Sequence, residues 1–426
     1  MDSRTKALCD FLDASHSVYH AQAYLVETLK NAGYTRLYEQ DEWALIPGGK
    51  YFLTRGGSAL VAFRVPQGSP KGFLMSASHS DRPTFKVKEN FELAAAYTRM
   101  AVERYGGMLI APWLDRPLSV AGRVTVETET GVETKLLDID RDLLLIPNVA
   151  IHMNRQANEG YKWNPAVDTL PLVGGAGAAG KLPALLEQEA GGKILGHDLY
   201  LYIRQKASIW GVDGEYISAA ALDDLECAWG CTQGFLKSGD SASVPVLCVF
   251  DSEEVGSVSP QGAGSSLLED TLGRICDSLK LHRGRMLAQS FLVSADNAHA
   301  VHPNHPEYAD PSNAPVMGGG LVIKYNANLS YCTDSVSAAV FRKICGRAGV
   351  KVQTYHNRAD LPGGSTLGRI SLAHVSVPTV DIGLAQLAMH SCYETAAVSD
   401  AVDLENAMAA YYGATLEATQ TGFVIR

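Results

Sequence analysis

Four short apolar runs, far apart in the chain, each deliver an acid or an imidazole at their end, and this pattern constrains the fold more than any other feature. Gly72-Phe-Leu-Met-Ser-Ala-Ser78 is followed by His79-Ser80-Asp81. Val244-Pro-Val-Leu-Cys-Val-Phe250 is followed by Asp251-Ser252-Glu253-Glu254, and Ser290-Phe-Leu-Val-Ser294 by Ala295-Asp296-Asn297-Ala298-His299. Val377-Pro-Thr-Val-Asp-Ile-Gly383 closes the series, with His390 one short loop beyond it. Continuous aliphatic runs separated by helical sequence read as strands buried on both faces. In open α/β sheets, ligands bind beyond the carboxyl ends of the strands. A solitary carboxylate after a strand is usually a helix cap or a solvated loop residue. Four such endings predict a shared rim carrying His, Asp and Glu.

At roughly 100–200 residues per domain, the 426 residues make two domains the natural expectation. Residues 7–33 read as an amphipathic helix pair in which Leu25 and Leu29 share a face, Ser15 or Ser17 can cap, and Gly33 can terminate. From about residue 89 the texture changes. Arg123-Val-Thr-Val-Glu-Thr-Glu-Thr130 alternates with period two, Gly131 offers a turn, and the style persists to Leu199-Tyr-Leu-Tyr-Ile203. That is the pattern of half-exposed antiparallel sheet. The expected fold is an α/β domain with a central mixed sheet, formed by residues 1–88 and 218–426 and interrupted by an inserted β-rich domain at 89–217.

Asp and Glu outnumber Lys and Arg by 46 to 36, for a formal charge of −10. This argues against nucleic acid or an anionic membrane as the main partner. No apolar run reaches the roughly 18 residues of a spanning helix, and no apolar stretch follows the basic residues of the start, so neither a membrane span nor a secretory signal is expected. Eight cysteines are scattered through the chain, with Cys227 and Cys231 the one close pair. Reduced, buried thiols in a cytoplasmic protein are the expectation.

The rim residues have definite chemical uses. Neutral imidazole and carboxylate are ligands that Zn²⁺ accepts at about 2.0–2.2 Å. His79 and Asp81 are spaced so that one can face a metal while the other takes the far ring nitrogen and sets its tautomer. Of the adjacent pair Glu253 and Glu254, one carboxylate can bind a cation while its neighbour stays available as a general base. Crowded acids without a cation push one another's pKa upward, a penalty that a dication removes. Two metals about 3.5–4 Å apart require a bridging carboxylate, for which Leu222-Asp-Asp-Leu225 supplies candidates.

Taken in order, His79-Ser-Asp-Arg-Pro83, Leu222-Asp-Asp-Leu225, Asp251-Ser-Glu-Glu-Val-Gly-Ser257, Ser294-Ala-Asp-Asn-Ala-His299 and Met389-His-Ser-Cys-Tyr-Glu394 resemble the M18 metalloaminopeptidases, the aspartyl aminopeptidase family. Tyr105-Gly-Gly, Trp113-Leu-Asp-Arg116, Ile146-Pro-Asn-Val-Ala-Ile-His152, Ile323-Lys-Tyr-Asn-Ala-Asn328 and Gly363-Gly-Ser-Thr366 fit as well, so the resemblance covers essentially the whole chain. It implies an α/β catalytic domain with an inserted β-rich assembly domain, built into a homo-oligomer, usually a tetrahedral dodecamer.

The resemblance implies two divalent ions per chain, zinc above all, with cobalt or manganese tolerated. Asp223 would bridge them, His79 and Asp296 would complete one site, and Glu254 and His390 the other. Glu253 would be the general base toward a metal-activated water, and Asp81 would orient His79. His152, on the insert, would reach a neighbouring subunit's site and stabilise the oxyanion. Substrates would be peptides with a free N-terminus. Lys324, His299 and Tyr331 match positions that face the substrate side chain in relatives preferring acidic N-termini, whereas other members favour neutral residues. Ser252, Asp224 and Arg82 depart from the family's common pattern, and none is an expected ligand.

Two further readings stand beside this one. A related di-metal hydrolase, such as a deacylase acting on a non-peptide amide, shares the ligands and differs in pocket chemistry. A catalytically inert self-assembling shell protein would need a broken ligand set. Gly175-Ala-Gly-Ala-Ala-Gly-Lys-Leu182 comes close to a phosphate loop but has Leu182 where Ser or Thr is needed, and reads as a flexible loop in the insert. Gly363-Gly-Ser-Thr-Leu-Gly368 is not a serine-hydrolase elbow and reads as a close-approach turn beside the site.

Overall fold

The computed structural model describes residues 2–361 and 363–426. Strands Phe73–His79, Val244–Phe250, Phe291–Ala295 and Thr379–Gly383 are the four apolar runs. They lie side by side and parallel at the centre of a nine-stranded mixed sheet, in the order 244–250, 73–79, 291–295, 379–383. Lys50–Arg55 and Ala59–Arg64 extend one flank, and Leu321–Tyr325 and Val352–His356 the other.

Alternate residues of these strands enter two different apolar clusters, which is why the runs carry no polar alternation. Leu74, Leu247, Val249, Phe291 and Val293 meet the helices Ser3–Ala14, Val18–Asn31, Leu222–Lys237, Ser335–Ala348 and Val398–Gly413. Met75, Ala77, Val246, Cys248 and Leu292 meet the helix Leu267–Ser278 on the opposite face. The expected helix pair is present as Ser3–Ala14 and Val18–Asn31. Ser17 caps the second by accepting from the His20 amide, and Leu25 and Leu29 are buried against the sheet.

The alternating region forms a separate six-stranded antiparallel sheet, ordered Gly131–Asp138, Leu118–Thr128, Ile194–Ile203, Thr84–Ala94, Tyr97–Tyr105, Leu172–Gly175. It begins at Thr84, ahead of the texture change read near residue 89, because Thr84, Phe85 and Val87 are buried and exposed positions start only at Lys88. The stretch Gly175–Leu182 is more ordered than a flexible loop. Strand Leu172–Gly175 leads into it and helix Lys181–Ala190 leaves it. The Gly180 amide donates to Glu92 Oε2 at 2.8 Å, so a carboxylate occupies the position where a phosphate loop would receive an anion.

A third, five-stranded sheet joins Ser208–Trp210, Tyr216–Ala219, Glu394–Ala397, Ala385–Leu387 and Ala298–His299. It packs three chemistry-bearing segments together: the approach to Asp223, the loop carrying His390, and His299. All eight cysteines are free thiols, and Cys227 and Cys231 are buried inside the helix Leu222–Lys237.

Candidate metal centre

Strand register places the first ligand candidates. His79 pairs with Phe250, and Ala77 with Ser294, so Asp296 emerges level with His79 on the next strand. Beyond Phe250 the chain turns through Ser252 at φ +65° into the short helix Glu253–Val255. Asp223 follows Ala221 at φ +57° and leaves helical geometry at the start of its helix. His390 itself sits at φ +67° in the loop before Glu394–Ala397. Left-handed backbone costs a non-glycine residue about 1–2 kcal/mol, and its concentration at the entry to three candidate segments marks a place where packing aims side chains at the expense of local comfort.

The side chains converge. His79 Nε2 lies 3.6 Å from Asp223 Oδ1, while His390 Nε2 lies 3.5 Å from Asp223 Oδ2 and 3.4 Å from Glu254 Oε2. One carboxylate therefore stands between two imidazoles, one at each oxygen. His79, Asp223 and Glu254 offer ligand atoms within 4.8 Å of one another. Two atoms each about 2.0–2.2 Å from a tetrahedral ion stand roughly 3.4 Å apart, the spacing found here. Glu253, Asp296, His299, Lys324, Tyr331 and His390 line one cleft of about 280 Å³ with His79 and Asp223.

Charge in this cleft is out of balance. Burial, and then the charge of Asp223, push the Glu254 carboxyl well above its ordinary range. Burial pushes Glu253 up to about 8, with Asp296 and Asp81 adding to the effect. Asp223 alone is held low: burial raises it, but the imidazoles of His390 and His79 outweigh that. Asp223 Oδ1 and Glu254 Oε1 are buried with no hydrogen-bond donor among the described residues. Each orphaned acceptor costs about 1–3 kcal/mol, and each buried ion several kcal/mol. A dication removes both penalties, and the His, Asp and Glu donor set suits zinc.

Supporting groups hold the ligands from behind. Asp81 Oδ1 accepts from the Glu253 amide at 3.0 Å, and its Oδ2 from the Glu254 amide at 3.1 Å and the Tyr105 hydroxyl at 2.8 Å. Its Oδ1 also lies 3.3 Å from His79 Nδ1. Asp224 Oδ2 accepts from the His79 amide at 3.1 Å. Asn297 Nδ2 donates to the Leu222 carbonyl at 3.2 Å and to Gln386 Oε1 at 3.0 Å, joining the segments that carry Asp296 and Asp223. Glu394 was not singled out from the sequence. It is 1 % exposed; its Oε2 accepts from the Asp223 amide at 3.0 Å and its Oε1 from the His390 amide at 2.7 Å. Its place at the end of Met389-His-Ser-Cys-Tyr-Glu394 was the one available signal.

Lys324 is buried, and its Nζ donates to the carbonyls of Asp296 at 2.7 Å and Asn297 at 3.1 Å, with Asp296 Oδ1 at 3.4 Å. It also lies 5.2 Å from the centre of the Tyr331 ring. His152 stands apart from the cleft, in an exposed turn of its own chain. Gly368 approaches closely, but within the helix Leu367–Ser371 rather than in a turn: a Cβ there would meet Ser294 Oγ at 2.7 Å and Asp381 Oδ1 at 2.8 Å.

The chain is similar to known proteins of one family along nearly its whole length. The family described as aminopeptidase I zinc metalloprotease (M18) matches residues 11–413. A probable M18 family aminopeptidase 2 of Clostridium acetobutylicum is 42 % identical, covering 96 % of this chain and 98 % of that protein. Its counterpart in Pseudomonas entomophila is 40 % identical over the same shares of each chain. Among solved structures, Ape4 in its complex with Nbr1 superposes with a TM-score of 0.93 at 35 % identity, covering 96 % of this chain and 85 % of that one. The S. cerevisiae mApe1 dodecamer superposes with a TM-score of 0.85 at 25 % identity, over 96 % of each chain.

Proposed function

This chain belongs to the M18 family of metal-dependent aminopeptidases, and on that premise we propose that it releases the N-terminal residue of peptides at a dinuclear centre. The observation that carries the reading is Asp223, whose two carboxylate oxygens each face one imidazole, His79 and His390. Asp223, with His79 and Asp296 on one side and Glu254 and His390 on the other, would hold two divalent ions. Zinc is the first choice, with cobalt or manganese as substitutes. When bound, the ions supply a Lewis acid at the scissile carbonyl and an acidified water.

The chain's own groups do the rest. Glu253 is the general base, taking the water's proton and returning it to the leaving amine. Its carboxyl is pushed up to about 8 by burial, and neighbouring dications would favour its charged form. Asp81 orients His79 and, through the two amides it accepts from, the Glu253–Glu254 turn. The cleft carboxylates anchor the substrate's free α-amine. Lys324, with His299 and Tyr331, supports a preference for acidic N-termini, because its ammonium lies in the wall of the same cleft and a carboxylate there gains a charge-assisted contact.

His152 acts in a neighbouring subunit's site within a homo-oligomer. Val149, Ile151 and Met153 beside it are 46 %, 49 % and 84 % exposed, an apolar fringe suited to subunit contact. In this reading residues 1–88 and 218–426 form the catalytic domain and 89–217 the assembly domain, in a cytoplasmic enzyme whose free thiols suit a reducing compartment. No helix among the described residues is long and apolar enough to cross a membrane.

The test is a turnover profile over peptides with different N-terminal residues, before and after chelation. Chelation should abolish release and zinc, cobalt or manganese should restore it. Acidic N-termini should lead the profile, and N-acetylated peptides should be refused. Equal cleavage of acetylated and free peptides would overturn the reading.

A further inference from the structure

We propose that the cavity adjoining the metal cleft binds the side chain of the substrate's second residue and selects a planar ring there. This inference rests on the aminopeptidase reading and adds a specificity site to it.

The cavity holds about 490 Å³, against about 280 Å³ for the cleft. The two share His299, Tyr355 and Gly364 in their walls. The His299 and Tyr355 rings, 6.2 Å apart, thus stand between the space that takes the first residue and the space beyond it. A peptide whose amine is anchored among the cleft carboxylates must leave on the other side of its scissile bond. The small cavity bordered by Asp223 and Glu394 holds only about 10 Å³, too little for a side chain. The one beside His16 and Arg204 shares no residue with the cleft.

Rings form much of the cavity wall, beside Arg358 and small aliphatic side chains. His302 and His305 lie 5.3 Å apart, and His305 stacks on Tyr308 at 5.3 Å and 22°. These are flat faces spaced for offset stacking. Among the described residues, no Asp or Glu lines the space. Glu307 is paired with His305 Nδ1 at 3.0 Å, and Asp360 with Arg358 Nε at 2.8 Å, so neither is free to receive a Lys or Arg side chain. In a chain of net charge −10, a wall of imidazoles and phenols whose one charged side chain is Arg358 is a selective surface. It offers stacking to Phe, Tyr or Trp and no counter-charge to a cation.

The experiment uses the metal-loaded enzyme and three substrates sharing the best-accepted N-terminal residue: a dipeptide ending in Phe, a dipeptide ending in Ala, and the α-amide, whose leaving group is ammonia. The wild type should show a Phe-to-Ala ratio in kcat/KM of roughly 5–10. Tyr308 is 60 % exposed, so its replacement spares the core. Tyr308→Ala should bring the ratio toward one, and Tyr308→Phe, which keeps the ring, should preserve it. A wild-type ratio near one, or a ratio untouched by Tyr308→Ala, overturns the inference while leaving the aminopeptidase reading intact, as does a Tyr308→Ala loss that falls equally on the α-amide. No turnover of any of the three substrates would bring down both.

Discussion

Asp198 and Asp223 carry the same charge into two parts of the molecule that treat it in opposite ways. In the six-stranded sheet, Asp198 meets Lys86 Nζ at 2.8 Å and Arg123 Nε at 2.9 Å. Burial pushes its carboxyl up, but those two cations outweigh it and hold the group below its ordinary range. In the cleft, Asp223 meets imidazoles and further acids, and Lys324 in the cleft wall reaches the Asp296 segment rather than Asp223. The sheet balances its acid with its own side chains. Among the described residues the cleft gives Asp223 and Glu254 no Lys or Arg partner of this kind, in keeping with a metal-dependent family.

Removing the proposed base is the sharpest way to break that contrast. Glu253→Gln should lower kcat by roughly 10²–10⁴-fold while metal content stays at the wild-type level, whereas His390→Ala should lose metal. Wild-type turnover in Glu253→Gln would discard the base assignment. A smaller effect is expected one layer out. An amide at residue 394 offers one good acceptor where the carboxylate offers two, so the Asp223 or His390 amide loses its partner. Glu394→Gln should weaken metal binding about 10–100-fold, read by competition with a chelator. Unchanged affinity would reduce Glu394 to a packing role.

The smallest effect belongs to the sheet. A carboxylate held below its unfolded value adds stability that is present above about pH 3.9 and is lost as pH falls through its folded value. Asp198→Asn should therefore cost roughly 1 kcal/mol at neutral pH and show a flatter acid limb in denaturation than the wild type. An unchanged acid limb would mean that the Lys86 and Arg123 pairs are screened to nothing.

Much of the centre was legible in advance, and for a local reason. A strand buried on both faces must be apolar throughout, so the first acid or imidazole after it marks where the chain reaches the rim. His79, Glu253, Glu254 and Asp296 were visible that way. Asp223 was harder, since it opens a helix beside Asp224 and only the M18 motifs chose between the two, whereas His390 was reached from the end of the fourth run although it lies in a loop. Glu394 could not be weighed from the sequence, because its partners are backbone amides at residues 223 and 390. Nor could the surroundings of Lys324: a lysine within an apolar strand says nothing about which carbonyls its ammonium meets. The stretch Gly175–Leu182 misled for a related reason. Glycine-rich sequence reads as loose until a carboxylate from another strand, here Glu92, fastens it.

The sequence alone determined the layered sheet, the chemistry offered at its rim and the family, because hydrophobic period and residue type are properties of neighbours along the chain. Only the tertiary structure decided that one carboxylate stands between two imidazoles, that Glu394 holds both segments in place, and that a ring-lined cavity adjoins the cleft. Those depend on distances between residues far apart in the chain, which strand register and packing set together and no local pattern encodes.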